Sequence, residues 1–125
     1  MVVSEKNILS ADAVALLCVE YWKLAQTTKK TVKRLSDGDG RRLEGQLKYS
    51  SRQLTTVLDQ LGLKLVVFDG EQFHAGLPAS ADNAEDFDED VELFVVKTLE
   101  PTIMEDMKII RSGRVLVQPA KSIKE

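Results

Sequence analysis

At 125 residues, 43% hydrophobic and 30% charged, the chain has the length and balance of one globular domain, or of a small domain with a helical arm, and disorder throughout is excluded. No apolar run approaches the roughly 20 residues that span a bilayer, and MVVSEKNILS is too short and too polar for a secretory signal, so a cytoplasmic protein without a membrane partner is expected. The formal charge of −3 conceals a segregation: residues 21–64 carry ten Lys/Arg against four Asp/Glu, and residues 69–106 carry one lysine against twelve acids. Such a pattern concerns partners and solubility, not fold.

Residues 1–9 are expected to be flexible, and residues 10–36 read as a helix. Val14, Leu17, Tyr21, Leu24, Thr28, Val32 and Leu35 succeed one another by three or four, the spacing of one helical face. Ser10 suits the N-cap, Asp12 the positive end of the helix dipole, and Lys29, Lys30, Lys33 and Arg34 the negative end. Ser36-Asp37-Gly38-Asp39-Gly40 supplies turn chemistry. A second helix fits 41–61, with the stripe Leu43, Leu47, Ser50, Leu54, Val57, Leu61 and with Gly62 placed to end it in a left-handed conformation. So short a connection makes the two helices antiparallel neighbours, a hairpin over 10–62.

The first half of the first helix is more apolar than a hairpin requires, since Ala13, Leu16, Val19 and Trp22 widen its apolar sector. Either the second half of the chain folds back onto it, or a second copy covers it and completes a four-helix bundle. Residues 11–25 lie far from the strand-forming half, which favours the homodimer. Its interface would comprise Val14, Leu17, Tyr21, Trp22, Leu24, Leu47 and Leu54.

From Leu63 the pattern becomes that of a small, mostly antiparallel β domain over 63–118, giving an α+β chain with a frayed tail at 119–125. LKLVVF is a β-prone run closed by the turn pair Asp69-Gly70. VELFVVKTL (91–99) alternates Val91, Leu93, Val95 and Leu99 on one face. KIIRSGRVLV (108–117) is a strand pair turning at Ser112-Gly113, or one strand with a bulge at Gly113. Pro101, which cannot donate to a ladder, belongs at a strand end or edge.

Catalytic chemistry is not evident. His74 is the only histidine, which removes the usual general base and the multi-histidine metal sites, and beside turn residues it reads as a surface loop residue. Cys18, the only cysteine, lies in the apolar run AVALLCVEYW and reads as a buried thiol, with no disulfide and no thiolate zinc site. No strand introduces the glycines of DGDG, so they make no phosphate loop. Asp82, Glu85, Asp86, Asp88, Glu89, Asp90 and Glu92 miss the offsets of a calcium-binding loop and read as a solvated connection. The basic residues of the hairpin could meet phosphates, but no aromatic residues are interleaved for stacking, and nucleic acid is disfavoured. No metal, cofactor or enzymatic activity is expected.

The order helix, short loop, helix ending in Leu61-Gly62-Leu63, then a small β domain resembles the C-terminal two-thirds of the GrpE family, nucleotide exchange factors of DnaK-type chaperone ATPases. The likeness runs from about Leu16 to Val117 and rests on order and spacing. LTTVLDQLGLKLVVFDGEQF (54–73) is similar to the family's bundle-helix end, apolar strand and "GE-x-F" entry to the β domain. VELFVVKTL and KIIRSGRVLV are similar to its closing strands, with Arg111 on a family arginine, Val115 and Val117 on its final valines, and Lys108 near a basic position. The chain departs from the pattern at His74, Ala75 and Pro78, and has Pro101-Thr102 where the family has Gly-Tyr; the family's long N-terminal stalk helix has no counterpart in this sequence. The resemblance implies a homodimeric co-chaperone whose β domain docks on the nucleotide-binding domain of the ATPase through Lys108, Arg111 and Arg114, with Phe73 or Leu77 as apolar contacts. A dimeric adaptor with this fold but no exchange activity is the second reading, and a nucleic-acid-binding hairpin the third.

Overall fold

The computed structural model describes residues 10–35 and 37–120. The chain divides into two compact units, Met1–Lys64 and Leu65–Glu125. The architecture is α+β: two helices, then a mostly antiparallel β unit. The expected flexible N-terminus lies outside the described residues, as does the tail beyond Ala120.

Helix α1 (Ala11–Val32) is capped by Ser10, whose hydroxyl accepts from the Ala13 amide at 3.0 Å. Asp12 sits in its first turn and Lys29 and Lys30 in its last, each at the end of the dipole that favours its sign. Helix α2 (Asp37–Gln60) starts four residues earlier than the sequence suggests. The turn is made upstream of the glycines, where the amides of Arg34 and Leu35 donate to Thr31 and Val32 carbonyls at 2.9 and 3.2 Å. Asp37 and Asp39 then fall in the first turn of α2, where carboxylates are favoured, and Asp39 takes the Arg42 guanidinium at 2.7 Å. Gly40 is buried, and a Cβ there would lie 3.2 Å from the Val32 carbonyl oxygen, so its missing side chain lets the hairpin close. Across the hairpin, the Tyr21 hydroxyl meets Ser50 Oγ at 2.5 Å and Ser51 Oγ at 3.0 Å. Gly62 follows α2 at φ +73°, the left-handed exit expected of it.

Seven strands make up the rest: β1 (Leu63–Val66), β2 (Gln72–Phe73), β3 (Ala79–Ala81), β4 (Leu93–Glu100), β5 (Thr102–Glu105), β6 (Lys108–Arg111) and β7 (Gly113–Pro119). They form two sheets of order β1-β5-β6 and β2-β4-β7-β3, with β3 and β7 the parallel pair. The Asp69-Gly70 turn is as expected, with Gly70 at φ +87°. Sequence alternation did not reveal β2, β3 or β5, which are two to four residues long.

The organising feature is one long bent ribbon. Strands β4 and β7 pair antiparallel from Leu93↔Pro119 to Glu100↔Arg114, and β5 and β6 continue the ladder from Ile103↔Arg111 to Glu105↔Lys108. Both strands change sheet at the same level, one at Pro101 and the other at Ser112, so Ser112-Gly113 is neither a hairpin turn nor the end of the pairing. At this bend Gly113 lies so close to the facing strand that a Cβ would stand 2.8 Å from the Pro101 carbonyl carbon and from Thr102 Oγ1. Thr102 is fully buried, and its hydroxyl accepts from the Gly113 amide at 2.8 Å and donates to the Pro78 carbonyl at 2.6 Å. Pro101, also buried, sits where the missing donor is harmless. The core of the larger sheet is Phe68, Leu77, Val95, Val115 and Val117, with Phe73, Phe87 and Leu93 packed against it.

Candidate partner-binding surface

The ribbon ends in the tight turn Asp106-Met107, with Asp106 in the left-handed region at φ +56°, a conformation that Asp tolerates better than most side chains. This turn holds Met107 out at 92% exposure, the most exposed large apolar side chain among the described residues. Ile109, two residues on in edge strand β6, is 46% exposed, and Lys108 between them is exposed. Arg111, at the other end of β6 and opposite Ile103, is half-buried. Four residues of one short strand and its turn thus combine two apolar and two cationic side chains.

The remaining residues expected on that surface lie elsewhere. Leu77 is buried in the core cluster, and Phe73 is half-buried against it, opposite Leu93 at the end of β2. Both serve packing. Arg114 is committed within the chain: its guanidinium holds Asp82 in a fork, Nε to Oδ1 at 3.2 Å and Nη2 to Oδ2 at 2.6 Å, and reaches Glu100 at 3.4 Å. That pairing holds the Asp82 carboxyl below the usual carboxylate range and the Arg114 guanidinium above its ordinary value. Asp82 leads into Asn83, whose side-chain amide exchanges two 3.0 Å hydrogen bonds with the Val117 backbone and prolongs the parallel β3–β7 pairing. Lys108 and Arg111 therefore remain as cations without an ion pair among the described residues, and Met107 and Ile109 are additions. An apolar Met set among the charged residues Glu105, Asp106 and Lys108 was the available sequence signal.

The residues expected at a dimer interface divide. Leu17 and Leu24, one heptad apart, are 61% and 65% exposed, and Leu16 beside them is 43% exposed. Val14, Trp22, Leu47 and Leu54 are half-buried, and Tyr21 is half-buried and bonded to α2. The buried positions of α1 are Ala15, Cys18, Val19 and Ala25, a stripe of smaller side chains displaced around the helix. Burial pushes the Cys18 thiol up in pKa, which keeps it protonated and unreactive.

His74 is exposed, and its Nδ1 accepts from the Gly76 amide at 3.1 Å, so it shapes its own loop. Among the described residues no group of three or more His, Cys, Asp or Glu side chains is placed to hold a metal ion, and no helix is long and apolar enough to cross a membrane. Searches of family models, of curated proteins and of solved structures return no match to this chain.

Proposed function

We propose that the chain is a GrpE-like co-chaperone that binds the nucleotide-binding domain of a DnaK-type ATPase in the cytoplasm and promotes ADP release. The observation that supports it is the bent ribbon. The paired β ribbon carries Met107, Lys108 and Ile109 exposed at its turn end and Arg111 half-buried nearer the bend, an arrangement suited to docking. The exposed Leu17–Leu24 face supports the accompanying expectation of a homodimer through the helices.

Such a protein works without catalytic residues. A partner that binds the open form of the ATPase cleft better than the closed form lowers ADP affinity by the same free energy that ADP withdraws from the partner. A specific observation favours a second reading, an adaptor without exchange activity: Pro101 and Thr102, where the resembling family has Gly-Tyr, are buried at the bend and present neither side chain to a partner.

The test is ADP release from a DnaK-type ATPase, followed with a fluorescent nucleotide. Acceleration by the full chain, lost in Lys108→Ala/Arg111→Ala, is the expected result. No acceleration at saturating protein, with or without binding, would sink the exchange-factor reading and leave the adaptor.

A further inference from the structure

A second charged feature is unrelated to the ribbon. Between α1 and α2 runs a groove of about 590 Å³ whose floor includes Val32 and Leu47. Lys29 and Lys33 stand on one side, Lys48 and Arg52 on the other, and Glu44 is its one acid. All four cationic residues are exposed, and among the described residues no ion pair or side-chain hydrogen bond engages their charged ends. Four like charges held around one groove repel one another, and a ligand of opposite sign relieves that repulsion.

The same chain carries a segment of matching character. In Asp88-Glu89-Asp90-Val91-Glu92 the four acids are exposed, and only Glu92 has a side-chain hydrogen bond, to Gln72 at 3.0 Å. The lengths agree as well. Glu44 to Arg52 spans about 12 Å of helix at 1.5 Å per residue, and five residues of chain reach at most about 14 Å between their first and last Cα atoms. We propose that this inter-helix groove receives the Asp88–Glu92 segment of a second copy of the chain.

Charge decides between occupants. Nucleic acid is disfavoured because the chain as a whole carries a net charge of −3 and no aromatic side chain lines the groove to stack a base. A second copy brings the complementary segment itself, and two copies can exchange the contact reciprocally. The contact is distinct from the apolar Leu17–Leu24 face and does not rest on the co-chaperone reading. Salt separates the two: charged contacts weaken as the Debye length falls to about 3 Å at 1 M, whereas apolar contacts do not.

The experiment is sedimentation velocity of the full chain, at low salt and at about 1 M salt, on two charge-reversed variants and their mixture. Lys33→Glu/Lys48→Glu inverts the groove, and Asp88→Lys/Glu89→Lys inverts the segment; all four positions are exposed, and circular dichroism checks that both variants fold. The wild type is expected to show an association step weakened at least roughly tenfold by the added salt. Each variant alone loses that step, and an equimolar mixture regains it, because inverted groove then meets inverted segment. Should either variant be misfolded, the neutral pair Lys33→Gln/Lys48→Gln replaces the first, or Asp88→Asn/Glu89→Gln the second, and must weaken the step without abolishing it. A wild type with no salt-sensitive association, or a mixture that fails to regain it, overturns the proposal. So does a DNA oligonucleotide bound by the wild type and released by the groove reversal in the absence of self-association.

Discussion

Replacing Thr102 by valine keeps the shape of a fully buried side chain and removes only its hydroxyl. That oxygen joins three segments at the bend, accepting from Gly113 in β7 at 2.8 Å and donating to the carbonyl of Pro78, just before β3, at 2.6 Å. Each bond is worth about 0.5–1.5 kcal/mol net, but an orphaned buried amide costs about 1–3 kcal/mol, so the substitution should cost the β unit about 2–4 kcal/mol. At about 4–8 °C per kcal/mol for a unit of this size, its melting point should fall by about 10 °C or more. The choice of probe matters. Trp22, Tyr21 and Tyr49 all lie in the helices, so the β unit contains no tryptophan or tyrosine of its own to report on it. Hydrogen exchange of the β4 and β7 amides is the suitable measurement, because their protection measures the opening of the ribbon. Thr102→Ser, which keeps the hydroxyl and loses a methyl group, should cost only about 1 kcal/mol. If Val and Ser were equally destabilising, or if Val left exchange at Val115 and Val117 unchanged, the hydroxyl would not be what anchors the bend.

Gly113→Ala should be harsher, because its Cβ would press on backbone and not on a side chain that can move: the Glu100 carbonyl oxygen is inside van der Waals contact and the Pro101 carbonyl carbon stands at 2.8 Å. Loss of protection across β4 and β7 with the helical circular dichroism retained is the expected pattern, and a native-like exchange profile would contradict it. The Asp82–Arg114 fork predicts an acid effect. Because the folded Asp82 carboxyl titrates below its unfolded value, its contribution is present above the unfolded pKa of about 3.9 and is lost as pH falls through the folded value. The stability difference between wild type and Asp82→Asn, read from exchange of the β3–β7 amides, should therefore shrink as pH falls from about 4 toward 2. A difference that persisted unchanged in acid would mean that the fork is not its source.

Long-period features were legible in the sequence and short-range ones were not. Two helices of more than twenty residues carry enough turns for their apolar spacing to stand out, and Ser10 and Gly62 mark one end of each. The start of α2 was misplaced because Asp37, Gly38, Asp39 and Gly40 are turn residues by type, yet the two acids serve equally as a first helical turn. In α1 the visible stripe was the large side chains Leu17 and Leu24, whereas the buried one is Ala15, Cys18, Val19 and Ala25. Small residues let backbones approach but carry little weight in a hydrophobic pattern, so the buried stripe of α1 did not stand out beside the large side chains assigned to a dimer interface. Strands of two to four residues have too few alternations to register, and the continuity of β4–β5 with β6–β7 is a matter of long-range register that local pattern does not encode. At the surface, Leu77 and Phe73 were candidates as the apolar contacts that the family resemblance implied. Burial assigns them to packing, and the pairing of Asp82 with Arg114 spans 32 residues that no local rule connects.

The redistribution of surface residues changes which of them can supply coupling in the proposed function. Lowering ADP affinity a hundredfold requires about 2.7 kcal/mol of preference for the open cleft. Solvent-exposed ion pairs made by Lys108 or Arg111 contribute about 0–1 kcal/mol each, which falls short even if both are made only to the open form. Burying a fully exposed methionine or isoleucine side chain is worth about 1.5–3 kcal/mol; Ile109 is already half covered, so Met107 and Ile109 together supply about the required amount if the open cleft alone accepts them. The basic residues would then steer the approach and set orientation, and the apolar end of the ribbon would carry the discrimination. Discrimination also needs an arm that does not yield, since an arm that bends to suit either cleft binds both equally and shifts nothing. The buried Thr102 hydroxyl and the missing Gly113 side chain hold the bend of the arm, and it is through that rigidity that two residues in the interior of the β unit bear on what its far end can distinguish.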